Sequence, residues 1–155
     1  MPNFEKSIRK VISPTLETHG FQHDGLRIFR RYVGNRTEII EFQKGVRSLQ
    51  SSFCINIGVY ATEDAARFDY APAPSKSHTG YCTCRDRIGR LRKTWISRGA
   101  GALLGPLHGT WKEIFLPRDK WWKIPTDEKD IDELLLRLCN QIAEECLPWF
   151  QQVKA

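Results

Sequence analysis

The chain predicts an α+β fold: an antiparallel sheet of about five or six strands with the N- and C-terminal helices packed on one face. Three observations carry this reading. Apolar residues recur at helical spacing near each end of the chain. Between them lie runs whose apolar residues alternate with period two. The first three of these runs are joined by short links, which favour an antiparallel meander.

The elements follow in order. Phe4, Ile8, Val11, Ile12 and Leu16 form an apolar stripe and predict a helix from about Asn3 to His19. Asn3 can accept the first free backbone N–H groups as N-cap. Gly20 suits the left-handed position after the helix, with Phe21 folding back as the hydrophobic contact. Pro14 should kink the helix or split it near Ser13. Leu26 to Val33 is the first long strand, and Gly34-Asn35 is a two-residue hairpin signal. The second strand is Thr37 to Lys44, with Ile40 and Phe42 on one face and Glu41 opposite. The third, Ser52 to Ala61, is the most informative. Phe53, Ile55, Ile57 and Val59 fall on one face, and Cys54, Asn56, Gly58 and Tyr60 on the other.

Residues 62–80 contain APAPSKSHTG and read as an exposed loop. Tyr81 to Arg87 fits a fourth strand, and Ile88 to Arg98 fits a helix or a strand equally. Residues 99–109 are glycine-rich and order poorly unless packed. Trp111 to Leu116 and Lys120 to Ile124 read as short strands around the turn Pro117-Arg118-Asp119. In the last helix Thr126 is the expected cap, and Asp127, Glu128 and Asp130 sit in the first turn, where the dipole favours negative charge. Ile131, Leu134, Leu135, Leu138 and Ile142 form its stripe. Pro148 should end it, leaving Trp149 and Phe150 to dock.

At 155 residues the chain suits one domain able to bury a substantial core. The opening MPNFEKSIRK lacks the apolar core of a signal peptide, and no run is long enough to span a bilayer. A cytoplasmic protein that does not engage a membrane is expected. Five cysteines without a secretion signal argue for reduced thiols rather than a disulfide framework. The formal net charge of +6 is uneven: residues 126–155 sum to −4 and the remainder to +10. The basic residues cluster as Arg27, Arg30, Arg31 and Arg36, then as Arg85, Arg87, Arg90, Arg92, Lys93 and Arg98. Such clusters attract an acidic partner or nucleic acid, or pair locally with the acidic C-terminal segment.

No catalytic signature accompanies them. Cys82-Thr83-Cys84 with His78 is the best metal candidate, because thiolates and imidazoles bind zinc. A structural zinc site needs a second matching pair, and Cys139 and Cys146 lie seven apart on one helix. Those two are expected as small core residues, with no metal bound. Arg85 and Arg87 beside Cys82 or Cys84 would favour a thiolate, and His78 or His108 could serve as base, but nothing in the sequence brings these groups together. GAGALLG (99–105) misplaces the third glycine of a dinucleotide loop. The reading is therefore a non-enzyme without a cofactor.

A set of features runs in order along the chain: a first helix ending in Gly20-Phe21, the strand IFRR (28–31), Gln43, and the segment from Phe53 to Val59. Then come Cys84-x-x-Arg87-Ile88-Gly89, Asp119-Lys120-Trp121-Trp122 and Leu147-Pro148-Trp149. In this order they make the chain resemble the bacterial domain-of-unknown-function 4304 family. The stretch from about Leu91 to Pro117 is longer than the family pattern. The resemblance transfers no catalytic residues. It implies a small bacterial accessory protein and, by analogy, an immunity-type (antitoxin-like) role.

Function is therefore expected in binding. Once helices cover the apolar face, the other face is left to Glu41, Gln43, Asn56 and Tyr60, with Gly58 marking a close approach by another group. The long loops would wall this floor into a groove, with Arg30, Arg87 and one of Trp121 or Trp122 at its rim. Adjacent strand residues face opposite ways, so the other tryptophan should enter the core. Asn56 and Gln43 could instead only satisfy loop backbone. The expected partner is a protein with an acidic surface; a nucleic-acid-binding accessory role through the arginine clusters is the alternative, and a small-molecule or enzyme role ranks third. The oligomeric state is not legible.

Overall fold

The computed structural model describes residues 4–61, 63, 71–88 and 120–153. Six strands form one antiparallel sheet: β1 (Gln22–His23), β2 (Ile28–Val33), β3 (Arg36–Lys44), β4 (Ser52–Ala61), β5 (Cys84–Arg87) and β6 (Trp122–Lys123). Their order is β1-β2-β3-β4-β5, with β6 beside β5 on the same edge of β4. The N-terminal helix comprises α1 (Phe4–Ser7), a π-helical turn (Ile8–Ile12) and α2 (Ser13–Thr18); the C-terminal helix is α3 (Glu128–Gln152). Both pack on one face of the sheet. Phe4, Ile8, Ile12 and Leu16 share a single core with Ile131, Leu135, Leu138 and Ile142 and with Phe29, Ile40, Phe42, Phe53, Ile55, Ile57 and Val59 of the strands. Each large apolar side chain so buried contributes about 1.5–3 kcal/mol.

Local chemistry explains the element ends. Gly20 takes φ +82° after α2. Its N–H donates to the Glu17 carbonyl (2.9 Å), and the Phe21 N–H reaches back to Leu16 (3.1 Å), a Schellman closure with Phe21 buried. Gly34 supplies the positive φ, 61°, of the tight β2–β3 hairpin, in which Val33 faces Arg36. Pro14 does not split the helix. The ladder widens just before it, with the Ser13 N–H donating to the Ile8 carbonyl, and α-geometry resumes. A π-turn is one way a helix absorbs a residue with no N–H to donate.

Four expectations are corrected. The cap of α3 is Asp127, whose side chain accepts from the Lys129 N–H at 2.8 Å, one residue after Thr126. Pro148 does not end α3, because the helix runs on to Gln152 with Phe150 buried in the core. The first long strand starts at Ile28, and the residues before it form an Asx turn in which Asp24 Oδ1 accepts from the N–H groups of Leu26, Arg27 and Ile28. Ser77 and Thr79 are buried, so the middle of the expected exposed loop packs on the sheet. Asn3 and the segments expected at Ile88–Arg98, 99–109 and Trp111–Leu116 lie partly or wholly outside the described residues. No helix among the described residues is long and apolar enough to cross a membrane.

Among the described residues the acidic C-terminal segment pairs with lysines of the N-terminal helix rather than with the arginine clusters: Lys6 meets Glu128 at 3.5 Å, and Lys10 meets Asp132 at 2.5 Å. The hydrogen bond from Lys10 holds the Asp132 carboxyl below its ordinary value. Stronger anchoring comes from Glu38, which is 1% exposed at the end of the helix-covered face. Arg31 donates to its Oε2 from Nε at 2.7 Å, and Arg36 donates to Oε1 at 2.8 Å. The same two arginines bind helix C-termini: Arg31 NH1 donates to the His19 carbonyl (2.9 Å), and Arg36 to those of Val153 (2.9 Å) and Phe150 (3.2 Å). Glu38→Ala is expected to destabilise the fold by about 3–5 kcal/mol, because it strands two cations beside the core. Urea unfolding measures this, and a loss below about 1 kcal/mol, the value of a surface pair, would contradict it.

Candidate functional site

On the face away from the helices, antiparallel register sets Glu41 of β3, Asn56 of β4 and Arg87 of β5 side by side. Gln43 lies two residues beyond Glu41 on the same face. Together with His78, Thr79, Gly80, Arg85 and Asp86 they line an open cleft of about 540 Å³. Its wall is the loop before β5, held to the sheet at three points. The Tyr60 hydroxyl donates to the Pro72 carbonyl (2.7 Å), and Arg30 Nε donates to that of Ser77 (2.8 Å). Glu41 Oε2 accepts from the Thr79 hydroxyl and from the Thr79 N–H at 3.2 Å.

The floor is a polar relay. Arg87 Nε donates to Asn56 Oδ1 at 2.8 Å, and Asn56 Nδ2 donates to Gln43 Oε1 at 2.7 Å. Arg87 also lies over the Trp121 ring, 5.4 Å from its centroid. The buried Cys54 thiol sits beneath, 3.8 Å from Gln43 Oε1 and 3.7 Å from Asn56 Oδ1. Gln43 and Asn56 thus bond each other and Arg87, whereas Glu41 satisfies the loop.

The expected site residues divide accordingly. Glu41, Gln43, Asn56 and Arg87 meet at the cleft, with Trp121 stacked on Arg87. Two expectations are corrected, Tyr60 and Arg30, while the tryptophan pair divides between core and rim as expected. Tyr60 is a member of a small second core with Ile39 and Cys82. Arg30 is only 7% exposed and serves the loop, with Asp24 a further 3.9 Å from its NH1. Trp122 faces the main core, stacked on Phe53 at 5.6 Å, as strand alternation requires of one tryptophan of the pair. His78, Thr79, Gly80, Arg85 and Asp86 were missed. Arg85 had a signal, since it sits two residues before Arg87 on one strand and so shares its face. The loop residues had none.

The Cys82–Cys84 pair is split between the two cores: Cys82 packs in the small one and Cys84 against the main one. His78 turns its ring elsewhere, accepting the Gly80 N–H at Nδ1 (3.1 Å) and packing on Tyr81. Among the described residues no three His, Cys, Asp or Glu side chains are grouped to hold a metal ion. Cys139 and Cys146 are buried in the main core as small residues, and burial raises both thiols above the ordinary value. His108 and the glycine-rich loop at 99–105 lie outside the described residues.

Gly58 explains the seat of Cys82. A Cβ at Gly58 would stand 2.6 Å from the Cys82 sulfur and 2.8 Å from its Cβ. Burial, with the Glu41 carboxylate nearby adding to it, pushes the Cys82 thiol up to about 12. At pH 8 its thiolate fraction is then on the order of 10⁻⁴, so the thiol is no nucleophile. Iodoacetamide at pH 8 should modify Cys82 in the native protein at least about a hundredfold more slowly than in denaturant, as followed by peptide mass mapping. Native labelling at the unfolded rate would show the seat to be open. Gly58→Ala should cost about 1–3 kcal/mol through overpacking against this thiol, read by thermal or urea unfolding.

No curated protein and no solved structure matches the chain significantly. A protein-family model does match it over residues 12–152, which take in the sheet, the cleft, the end of the first helix and the C-terminal helix. The chain therefore belongs to the family described as Domain of unknown function (DUF4304).

Proposed function

We propose that the chain is a non-enzymatic protein-binding module whose working surface is the polar cleft. The observation that carries the reading is the Gln43–Asn56–Arg87 relay under Trp121. These side chains hold one another in fixed positions on an open surface. A clamped arginine with a stacked tryptophan is the composition of an interaction hot spot. Arg85 is exposed beside them and adds positive charge, so the expected partner is acidic. The immunity-type role is the analogy drawn from the family resemblance, and a cytoplasmic setting fits five free cysteines.

Nucleic acid is the second reading, resting on Arg85 and Arg87. The first arginine cluster lends it little, since Arg30, Arg31 and Arg36 are engaged in the fold. Phosphate binding would weaken steeply with salt.

Arg87→Ala and Asn56→Ala test the proposal. Each should leave the melting temperature nearly unchanged and weaken a co-purified protein partner by about 10–100-fold, the value of a charged hydrogen bond. Affinity purification at native expression, with mass spectrometry, supplies the partner and the comparison. A large drop in melting temperature with partner binding intact would assign these residues to the fold instead. Retention of DNA or RNA at low salt, lost in Arg85→Ala, would favour the second reading.

A further inference from the structure

The wall of the cleft is tied to the sheet in a way that lets it lift. Residues 72–82 bond their backbone among themselves: the Lys76 N–H donates to Ala73, Ser77 to Pro74, Tyr81 to His78 and Cys82 to Thr79. These are single helical turns at Pro74–Lys76 and Thr79–Tyr81, and no strand ladder among the described residues joins them to the sheet. The sheet holds the segment by side chains instead. The Tyr60 hydroxyl bonds the Pro72 carbonyl, Arg30 Nε that of Ser77, and Glu41 the hydroxyl and N–H of Thr79. All three side chains rise from the face opposite the helices.

Its apolar anchor is equally separate. Cys82 packs with Ile39 and Tyr60 in the small core, flanked by Ile28 and Tyr81. None of these belongs to the main core under the helices. Cys84, two residues on, already packs against the main core and pairs with Val59 of β4. The exposed Thr83 is where the chain passes from one core to the other. Lifting residues 72–82 therefore uncovers the three buried members of the small core and leaves the twenty described members of the main one in place. Segments with few buried apolar contacts open more readily than the fold as a whole. We infer that residues 72–82 form a strap that lifts from the sheet as one unit, hinged at Thr83, while the main core stays folded. Thr79 and Gly80 belong to the strap and line the cleft, so the lifted strap opens the cleft onto Ile39 and Tyr60. Glu41 is the latch common to both, since its carboxylate lines the cleft and holds Thr79. The cleft thus has a narrow polar form and a wider, partly apolar one. This goes beyond the binding reading above and does not depend on what the cleft takes.

Two cysteines of the full chain report the two events. Cys82 becomes reactive when the strap lifts, and Cys146, fully buried in the main core, only when the helices leave the sheet. Iodoacetamide labelling at pH 8 is followed by peptide mass mapping across a range of low urea, with fragment spectra separating Cys82 from Cys84. Each rate is divided by that of the same thiol in the denatured chain. On this scale Cys82 should react at least about tenfold faster than Cys146 and change little with urea, whereas Cys146 should rise steeply. Ile131→Val trims the main core, which the closed and lifted forms share. It should speed Cys146 about two- to tenfold and leave Cys82 unchanged. Tyr60→Phe and Glu41→Gln, which remove or weaken the bonds to Pro72 and Thr79, should each speed Cys82 by about two- to tenfold. Equal normalised rates and urea slopes for the two thiols in the parent chain would overturn the inference, as would Cys82 labelling that follows Ile131→Val. No response of Cys82 to Tyr60→Phe and Glu41→Gln would mean that the thiol opens without the strap, and would overturn it too. The parent comparison needs no variant, so it decides even where a variant fails to fold.

Discussion

The fold turns on one buried carboxylate. Glu38 sits at the end of the helix-covered face, and both of its arginines reach on to helix C-termini, Arg31 to His19 and Arg36 to Phe150 and Val153. The last turn of a helix leaves carbonyls without intrahelical partners, and cations there also suit its dipole. One side chain thus fixes where both helices end relative to the sheet. Its desolvation is costly unless every partner is present, which makes the arrangement specific as well as stabilising. Arg31 also covers the Phe21 ring at 4.7 Å, closing the chain reversal after α2. The helix that Pro148 would otherwise terminate is held by Arg36 and the buried Phe150.

The same strand carries the cleft. Along β3, Arg36, Glu38, Ile40 and Phe42 face the helices, while Thr37, Ile39, Glu41 and Gln43 face the loop. Because the period is two, a slip of one residue would put Glu41 against the main core and Ile40 in the cleft. The Glu38 node opposes such a slip, so the site's geometry depends on a contact on the far side of the sheet. On the cleft side the transition from dry to wet takes one row. Ile39, Gly58 and Arg85 are paired across three strands, and Gly58 lets Cys82 complete the small core there. The next row, Glu41, Asn56 and Arg87, is polar throughout.

Much of this was legible in the sequence. The bounds of β4 and the Gly34-Asn35 hairpin follow from period two and turn chemistry, and both helices follow from their stripes. So does the presence of Glu41, Gln43 and Asn56 on one face, since alternation is a local property; Arg87, expected at the rim, joins them through the β4–β5 register. What escaped were the effects of tertiary contacts on locally ambiguous residues. Pro148 lies in the last turns of its helix, where lost hydrogen bonds are few and a buried Phe150 outweighs them. Proline, serine and small residues at 72–79 suggest an exposed loop, yet Tyr60, Arg30 and Glu41 supply the bonds that let it pack. Those three residues look alike to Asn56 and Gln43 by face and polarity. Only the coordinates show that they hold the wall while the others line the floor.

Net charge also means less here than its value suggests. The formal +6 counts arginines whose charge is already committed. Arg31 and Arg36 neutralise Glu38, Arg30 is buried against loop backbone, and Lys6 and Lys10 meet the acidic face of α3. A long-range positive field remains, but contact specificity in general comes from groups that remain accessible on approach. Among the described residues of the two basic clusters, Arg85 is the one classed as exposed at the cleft, and Arg87 stands half-buried beside it. Net charge thus says little about the cleft itself, where the Glu41 and Asp86 carboxylates stand among these arginines.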